Sequence, residues 1–271
     1  MWGAGYPPGY SVGAPAGTQG AYDRIRMPPP PRPVPLVARE QTLQALWLQV
    51  AASASQGMRA AVLRGPAGSG KTRVLEAFAE RARAAGATVV AGRAPSLGVH
   101  PYAALADALG AHVRSSPPAA GQIRRAGEAV VRLVRQVTER RPLVLVVDDG
   151  HLADDDSCEV LAALQRHASD LPWTLVLGWR DPSEEARPAA RRLLDLLRRE
   201  RDLADVALEP LGPGAAGEMI AALLGDGLPA PGLVEMVHRR SAGNPYYLQE
   251  LVRWLRDTGR LHRAGLQWIP A

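Results

Sequence analysis

"GPAGSGKT", residues 65–72, holds the only lysine of this 271-residue chain; every other one of its 32 basic residues is arginine. A usage rich in alanine, arginine and glycine, as GC-rich coding produces, explains why lysine is scarce. It does not explain why one lysine is kept. Gly65, Gly70, Lys71 and Thr72 satisfy G-x-x-x-x-G-K-S/T, with an apolar run just before and a helical period just after. In that setting the loop formed by Gly65, Pro66, Ala67, Gly68, Ser69 and Gly70 turns its backbone N–H groups inward around phosphate oxygens, and the glycines permit the dihedrals this needs. The helix that follows, expected over 72–85, aims the positive end of its dipole at the same anion. Lys71 supplies a compact charge between the β- and γ-phosphates, where the broad planar fork of arginine does not fit. Thr72 places its hydroxyl on Mg²⁺, and Arg73 follows in the same first turn. The ligand expected is ATP or ADP with Mg²⁺.

Composition bounds the rest. Hydrophobic residues make up 46% of the chain, enough for a real core. The net charge of +5 is too small by itself to argue for nucleic acid or a membrane surface. The single cysteine, Cys158, cannot form an internal disulfide. There is no run of 18 apolar residues and no apolar segment behind a basic start, so the expected location is the cytoplasm.

Three stretches follow one another. Residues 1–34 are a proline- and glycine-rich arm, expected to be disordered and to act as a tether. Residues 35–208 alternate short apolar runs with helical periods, and 209–259 beyond "EPLGPG" is helical only. Residues 260–271 read as two short strands around Ala264 and Gly265. No internal repeat is present. The apolar runs at 60–64, 88–91, 143–147, 173–177 and 205–208 are separated by helical segments, as parallel strands require. Two helices fit between the second and third runs. One, over 123–140, carries Ile123, Ala126, Val130, Val134 and Val137 on one face. Its other face, with Arg141, carries six arginines against two glutamates. A solvated helix face is the favoured reading over a nucleic-acid contact.

"LVLVVDDGHLADDDS" (143–157) is a buried strand ending in two aspartates. An acid at the carboxyl end of a strand beside the phosphate loop stands where the Mg²⁺ shell needs one, a role given to Asp148, acting through water. Asp149 is then placed to orient or deprotonate a water attacking the γ-phosphate. It is shorter than the glutamate of many fast ATPases, so hydrolysis is expected to be slow. Asp154, Asp155 and Asp156 read as helix capping, His151 as a structural hydrogen-bond partner, and Cys158 as a small helix residue.

From about Pro35 to the C-terminus the chain resembles the signal-transducing ATPases with numerous domains, the STAND branch of the AAA+ superfamily. It is most similar to the ATPase module of large LuxR-type bacterial regulators and cyclase-linked relatives. Five stretches carry the resemblance. "LVARE" (36–40) is similar to the entry motif that flanks the adenine, which implies contacts from Val37 and Arg39. "GPAGSGKT" is the phosphate loop, and "VVDDGHLAD" (146–154) resembles the acidic strand end. "LVLGWRD" (175–181) resembles the first sensor strand and makes Arg180 a candidate γ-phosphate sensor. "SAGNPYYLQEL" (241–251) resembles the lid signature, with Asn244 and Pro245 near the nucleotide. Ala38 stands where the family usually has glycine, and Leu152 where it has tryptophan.

The resemblance implies an α/β fold with a five-stranded parallel sheet in the order 5-1-4-3-2 and a C-terminal helical lid. It implies a slow ATPase whose nucleotide state sets lid closure and the binding of a protein partner or self-assembly. A motor or loader acting on DNA and a small-molecule phosphotransferase are the alternative readings. Relatives continue into winged-helix, repeat and helix-turn-helix regions, so a truncated regulator or a free-standing module is expected. DNA binding is expected only through a region absent from this chain.

Overall fold

The computed structural model describes residues 35–95, 123–181, 186–200 and 203–271. The arm 1–34 and the first of the two helices expected between the second and third apolar runs lie outside the described residues.

Five strands form one sheet: β1 (Arg59–Gly65), β2 (Thr88–Arg93), β3 (Leu143–Asp148), β4 (Trp173–Arg180) and β5 (Ala204–Ala207). Their order is β2-β3-β4-β1-β5, which is 5-1-4-3-2 read from the other edge. Every pairing is parallel. All six residues of β3 are buried, because helices cover both faces of a parallel sheet. The edge strand β5 instead alternates half-buried and exposed residues.

The period of two divides neighbouring residues of each central strand between two cores. Val144, Val146 and Val176 pack with Leu46, Leu75 and Phe78 of α1 (Glu40–Gln56) and α2 (Lys71–Ala84). Leu145, Val147 and Leu175 pack on the opposite face. There they meet Val134 of α3 (Ile123–Thr138), Leu161 of α4 (Asp155–His167) and Leu197 of α5 (Pro188–Glu200). On the arginine-rich face of α3, Arg132 and Arg135 are exposed, as are Arg140 and Arg141 beyond its end.

Three strands run further than their apolar cores predict. β2 extends to Arg93, β3 to Asp148 and β4 to Arg180. Sheet pairing holds these polar ends in place: Arg93 stands opposite Asp148, and Arg180 opposite Gly65. The strands therefore deliver their charged residues to one rim of the sheet, the rim where the phosphate loop begins.

The C-terminal region has its own core. α6 (Pro213–Leu224), α7 (Pro231–Ser241) and α8 (Pro245–Asp257) bury Ile220, Val237, Leu248 and Val252 together. Each begins with proline at its first position, where the missing N–H costs no helical bond. The hairpin β7 (Leu261–Ala264) and β8 (Gln267–Pro270) matches the two strands expected there. β6 (Leu228–Pro229) adds a third strand, in the order β6-β8-β7. Two residues are too few to leave a periodic signal in the sequence. Among the described residues no helix is long and apolar enough to cross a membrane.

Candidate functional site

β1 ends at Gly65 and α2 begins at Lys71, so residues 66–70 form the tight connection between them. Gly68 and Gly70 take positive φ values of 76° and 94°, which a side chain disfavours. The Lys71 ammonium folds into the loop and donates to the carbonyls of Gly65 (2.9 Å) and Pro66 (3.0 Å). Burial lowers the Lys71 pKa; Asp149 and Asp148 act against that, and Arg180 adds to it. Lys71 therefore feels the charge of all three residues at the sheet rim. The hydroxyl of Ser69 is buried with no hydrogen-bond partner, an orphaned donor inside a loop that otherwise offers backbone N–H groups. Such a loop fits phosphate oxygens.

Beside the loop, the Thr72 hydroxyl donates to Asp148 Oδ2 at 2.7 Å. Asp148 is 7% exposed, and its Oδ1 accepts from the Asp149 backbone N–H at 2.9 Å. Among the described residues no group of three or more His, Cys, Asp or Glu side chains could hold a metal unaided. One hydroxyl and one carboxylate suit Mg²⁺, which takes few protein oxygens and completes its shell with phosphate and water. Asp149 adopts the left-handed conformation, with φ 52°, and its side chain is 36% exposed.

Arg93, which the sequence reading missed, joins this corner. Its Nη2 donates to Asp148 Oδ2 at 2.7 Å and to Thr72 Oγ1 at 2.9 Å, and its Nε donates to Asp148 Oδ2 at 3.2 Å. Nε also lies 3.7 Å from Asp149 Oδ2. The hydrogen bond to Asp148 raises the guanidinium pKa further, against a smaller loss from burial. Extending β2 by two residues past "TVVA" would have revealed it, since parallel register then sets position 93 against 148.

Gly178 on β4 gives Asp148 its room. A Cβ there would lie 2.7 Å from Asp148 Oδ1 and 3.0 Å from Leu75 Cδ1. Gly178→Ala is therefore expected to displace the carboxylate and weaken Mg²⁺-dependent ATP binding by about tenfold or more, a size typical of disturbed metal ligands. Isothermal titration with Mg²⁺ and with EDTA checks this. Equal loss in both buffers would place the damage outside the metal corner.

The entry motif lies at the seam between the two parts of the chain. Leu36 packs on the sheet core and Val37 on the core of the C-terminal helices. Ala38 takes φ 53°, which accounts for a preference for glycine there. Arg39 is 6% exposed and its Nη2 has no partner, while burial lowers its pKa and Glu209 opposes that. An orphaned buried donor at this seam fits a polar edge such as that of an adenine.

Asn244 is bound to the loop itself. Its Nδ2 donates to Ala67 O at 2.9 Å, and the Tyr246 N–H donates to Gly68 O at 3.2 Å. Asn244 Oδ1 meanwhile caps α8 by accepting from the backbone of Tyr246 and Tyr247. Pro245 is the first residue of that helix. The structure thus brings the loop, Thr72, Asp148, Asp149, Arg180 and Asn244 together. Val37 and Arg39 lie at the seam, and Arg73 is exposed on the first turn of α2.

Asp154 caps α4 by accepting from Ser157 N at 2.9 Å and Ser157 Oγ at 2.6 Å. His151 is buried edge-on to Trp179. Cys158 is a free, buried cysteine in the sheet core, and burial pushes its thiol up to about 12, which disfavours the thiolate.

The model of the family described as "AAA ATPase domain" matches residues 35–177. No curated protein matches the chain in sequence. Several solved structures share its fold. Cdc6p from Pyrobaculum aerophilum superposes with a TM-score of 0.55 at 18% identity, over 85% of this chain and 66% of that one. The structure of Drosophila ORC bound to DNA gives 0.56 at 15% identity, over 95% and 66%. Replication initiator DnaA, solved with AMPPCP and single-stranded DNA, gives 0.50 at 12% identity, over 83% and 63%. The chain thus spans less than two thirds of the length of each of these three. Since the family model covers more than half of the 271 residues and includes both the phosphate loop and the acidic strand end, the chain belongs to the AAA ATPase domain family.

Proposed function

We propose that this chain is an ATP-binding switch module that hydrolyses ATP slowly. Its nucleotide state sets how the C-terminal helices, acting as a lid, close on the sheet. Lid position in turn controls binding of a protein partner or of a second copy. Within the AAA ATPases the motifs at 36–40 and 241–251 favour the STAND branch, of the kind found in large LuxR-type regulators.

The reading rests on one contact. The lid grips the tip of the phosphate loop through Asn244 to Ala67 O and Tyr246 N–H to Gly68 O. A loop that rearranges around a γ-phosphate cannot do so without altering those two carbonyls, so the contact couples nucleotide to lid.

Each residue then has a task. Lys71 exchanges its carbonyl acceptors for phosphate oxygens. Thr72 and Asp148 would hold Mg²⁺, which when bound would supply positive charge to the nucleotide phosphates. Asp149 orients the attacking water and accepts its proton, and Arg180 answers to the γ-phosphate. Val37 and Arg39 border the base.

Asn244→Ala tests the coupling. Losing one hydrogen bond to the loop and one helix cap is expected to speed ADP release about three- to tenfold, with the sheet still folded. Stopped-flow release of a fluorescent ADP measures it, and an unchanged off-rate contradicts a coupled lid.

One observation favours a second reading, a motor acting on DNA. The exposed arginines Arg132, Arg135, Arg140 and Arg141 form a basic face, and ORC and DnaA were solved with DNA bound. ATP turnover stimulated by DNA would favour it over the switch.

A further inference from the structure

The position of Arg93 has a chemical consequence. The Thr72 hydroxyl and the Asp148 carboxylate are the groups assigned to Mg²⁺, and one guanidinium nitrogen of Arg93 donates to Thr72 Oγ1 and to Asp148 Oδ2. Asp148 Oδ2 already accepts from the Thr72 hydroxyl and from two nitrogens of Arg93, which fills its acceptor capacity, and a divalent cation beside a guanidinium is repelled by it. Guanidinium and metal therefore compete at this corner.

Arg93 also has somewhere to go. A cavity of about 420 Å³ adjoins it, lined by Glu76, Glu80 and Arg83 of α2 and by Thr72 and Asp148. Glu76, one helical turn beyond Thr72, is exposed. It lines the same cavity as Arg93, and its charge favours the guanidinium, less strongly than Asp148 and Asp149 do. The Arg93 side chain is itself 54% exposed, so nothing encloses it against Asp148.

We propose that Arg93 is a tethered counter-ion that holds the Thr72–Asp148 pair until Mg²⁺ arrives with nucleotide, then gives up the pair and turns to Glu76. Arg93 is in this sense a positioning residue. It keeps Asp148 aimed at Thr72 in the metal-free protein and sets how strongly metal promotes nucleotide binding. The inference rests on the reading that Thr72 and Asp148 hold the metal.

The test is the affinity of the full chain for a fluorescent ADP, measured once in EDTA and once in Mg²⁺. In wild type, Mg²⁺ should tighten binding. Arg93→Met removes the competitor, so its affinity in Mg²⁺ should rise about three- to tenfold above wild type, the scale of a partly exposed charged pair. Its affinity in EDTA should stay as in wild type. Glu76→Gln, a surface change that leaves folding alone, should do the reverse and reduce the gain from Mg²⁺. Arg93→Lys keeps the charge but loses the two-pronged hold, and should fall between wild type and Arg93→Met.

An Arg93→Met protein that binds ADP no more tightly in Mg²⁺, or more weakly in EDTA, overturns the proposal; the latter result would make Arg93 a phosphate ligand. A Glu76→Gln protein with the wild-type gain removes the second resting place and overturns the exchange. If wild type binds ADP equally well with and without Mg²⁺, the assignment of Thr72 and Asp148 fails first, and this inference fails with it.

Discussion

Lys71→Ala abolishes measurable ATP binding while the strand and helix around it stay folded: this is the expected result of removing the one cation inside the loop. The ammonium is held by two carbonyls and Lys71 as a residue is 8% exposed, so on the proposed reading its charge acts on phosphate oxygens with little water between. Losing charge-assisted bonds to two phosphates weakens affinity on the order of 100-fold or more. Lys71→Arg is expected to be nearly as damaging. The pocket that receives Nζ is formed by the carbonyls of Gly65 and Pro66, and it accommodates one nitrogen rather than a planar fork. Isothermal titration with ATP decides the matter. An arginine variant that binds like wild type would remove the steric account of the solitary lysine.

Asp149→Asn has the second largest expected effect, and it falls on turnover alone. The backbone N–H of Asp149, not its side chain, holds Asp148 Oδ1, so the metal corner keeps its shape in the variant. Asparagine also tolerates the left-handed conformation that residue 149 adopts, so folding is preserved. What is lost is the carboxylate proposed to orient water and take its proton. ATP should still bind, and steady-state hydrolysis should fall on the order of 100-fold or more. Phosphate release assays measure this, and equal turnover in variant and wild type would exclude Asp149 from the chemistry.

The phosphate loop is legible in the sequence because its chemistry is local: eight consecutive residues specify both the turn and the ligand. Asp148 and Asp149 are legible because charge at the end of an apolar strand is costly to bury without a counter-charge, which points to a cation at that end. The strand ends are less so. Periodicity registers apolar residues, and β2 continues as Gly92 and Arg93 after its apolar part stops, so Arg93 emerges only when the strand is carried two residues further. Only the parallel pairing of β2 with β3 sets Arg93 against Asp148. The strand order comes from the resemblance rather than from any run of residues. The resemblance also puts Asn244 close to the nucleotide; the structure binds it to the loop carbonyl of Ala67, across 177 positions of sequence. No local signal carries a contact over that distance. The two-residue β6 leaves no trace because it is no longer than one period of the strand pattern.

The central claim is that nucleotide state reaches the lid through the phosphate loop. Amide hydrogen exchange of residues 209–257, compared between the ADP-bound chain and the chain bound to a non-hydrolysable ATP analogue, tests it most directly. The account predicts different protection in the two states, greatest at 243–248 where Asn244 and Tyr246 meet the loop, and loss of that difference in Asn244→Ala. Identical exchange in the two states, with both nucleotides shown to be bound, would contradict it.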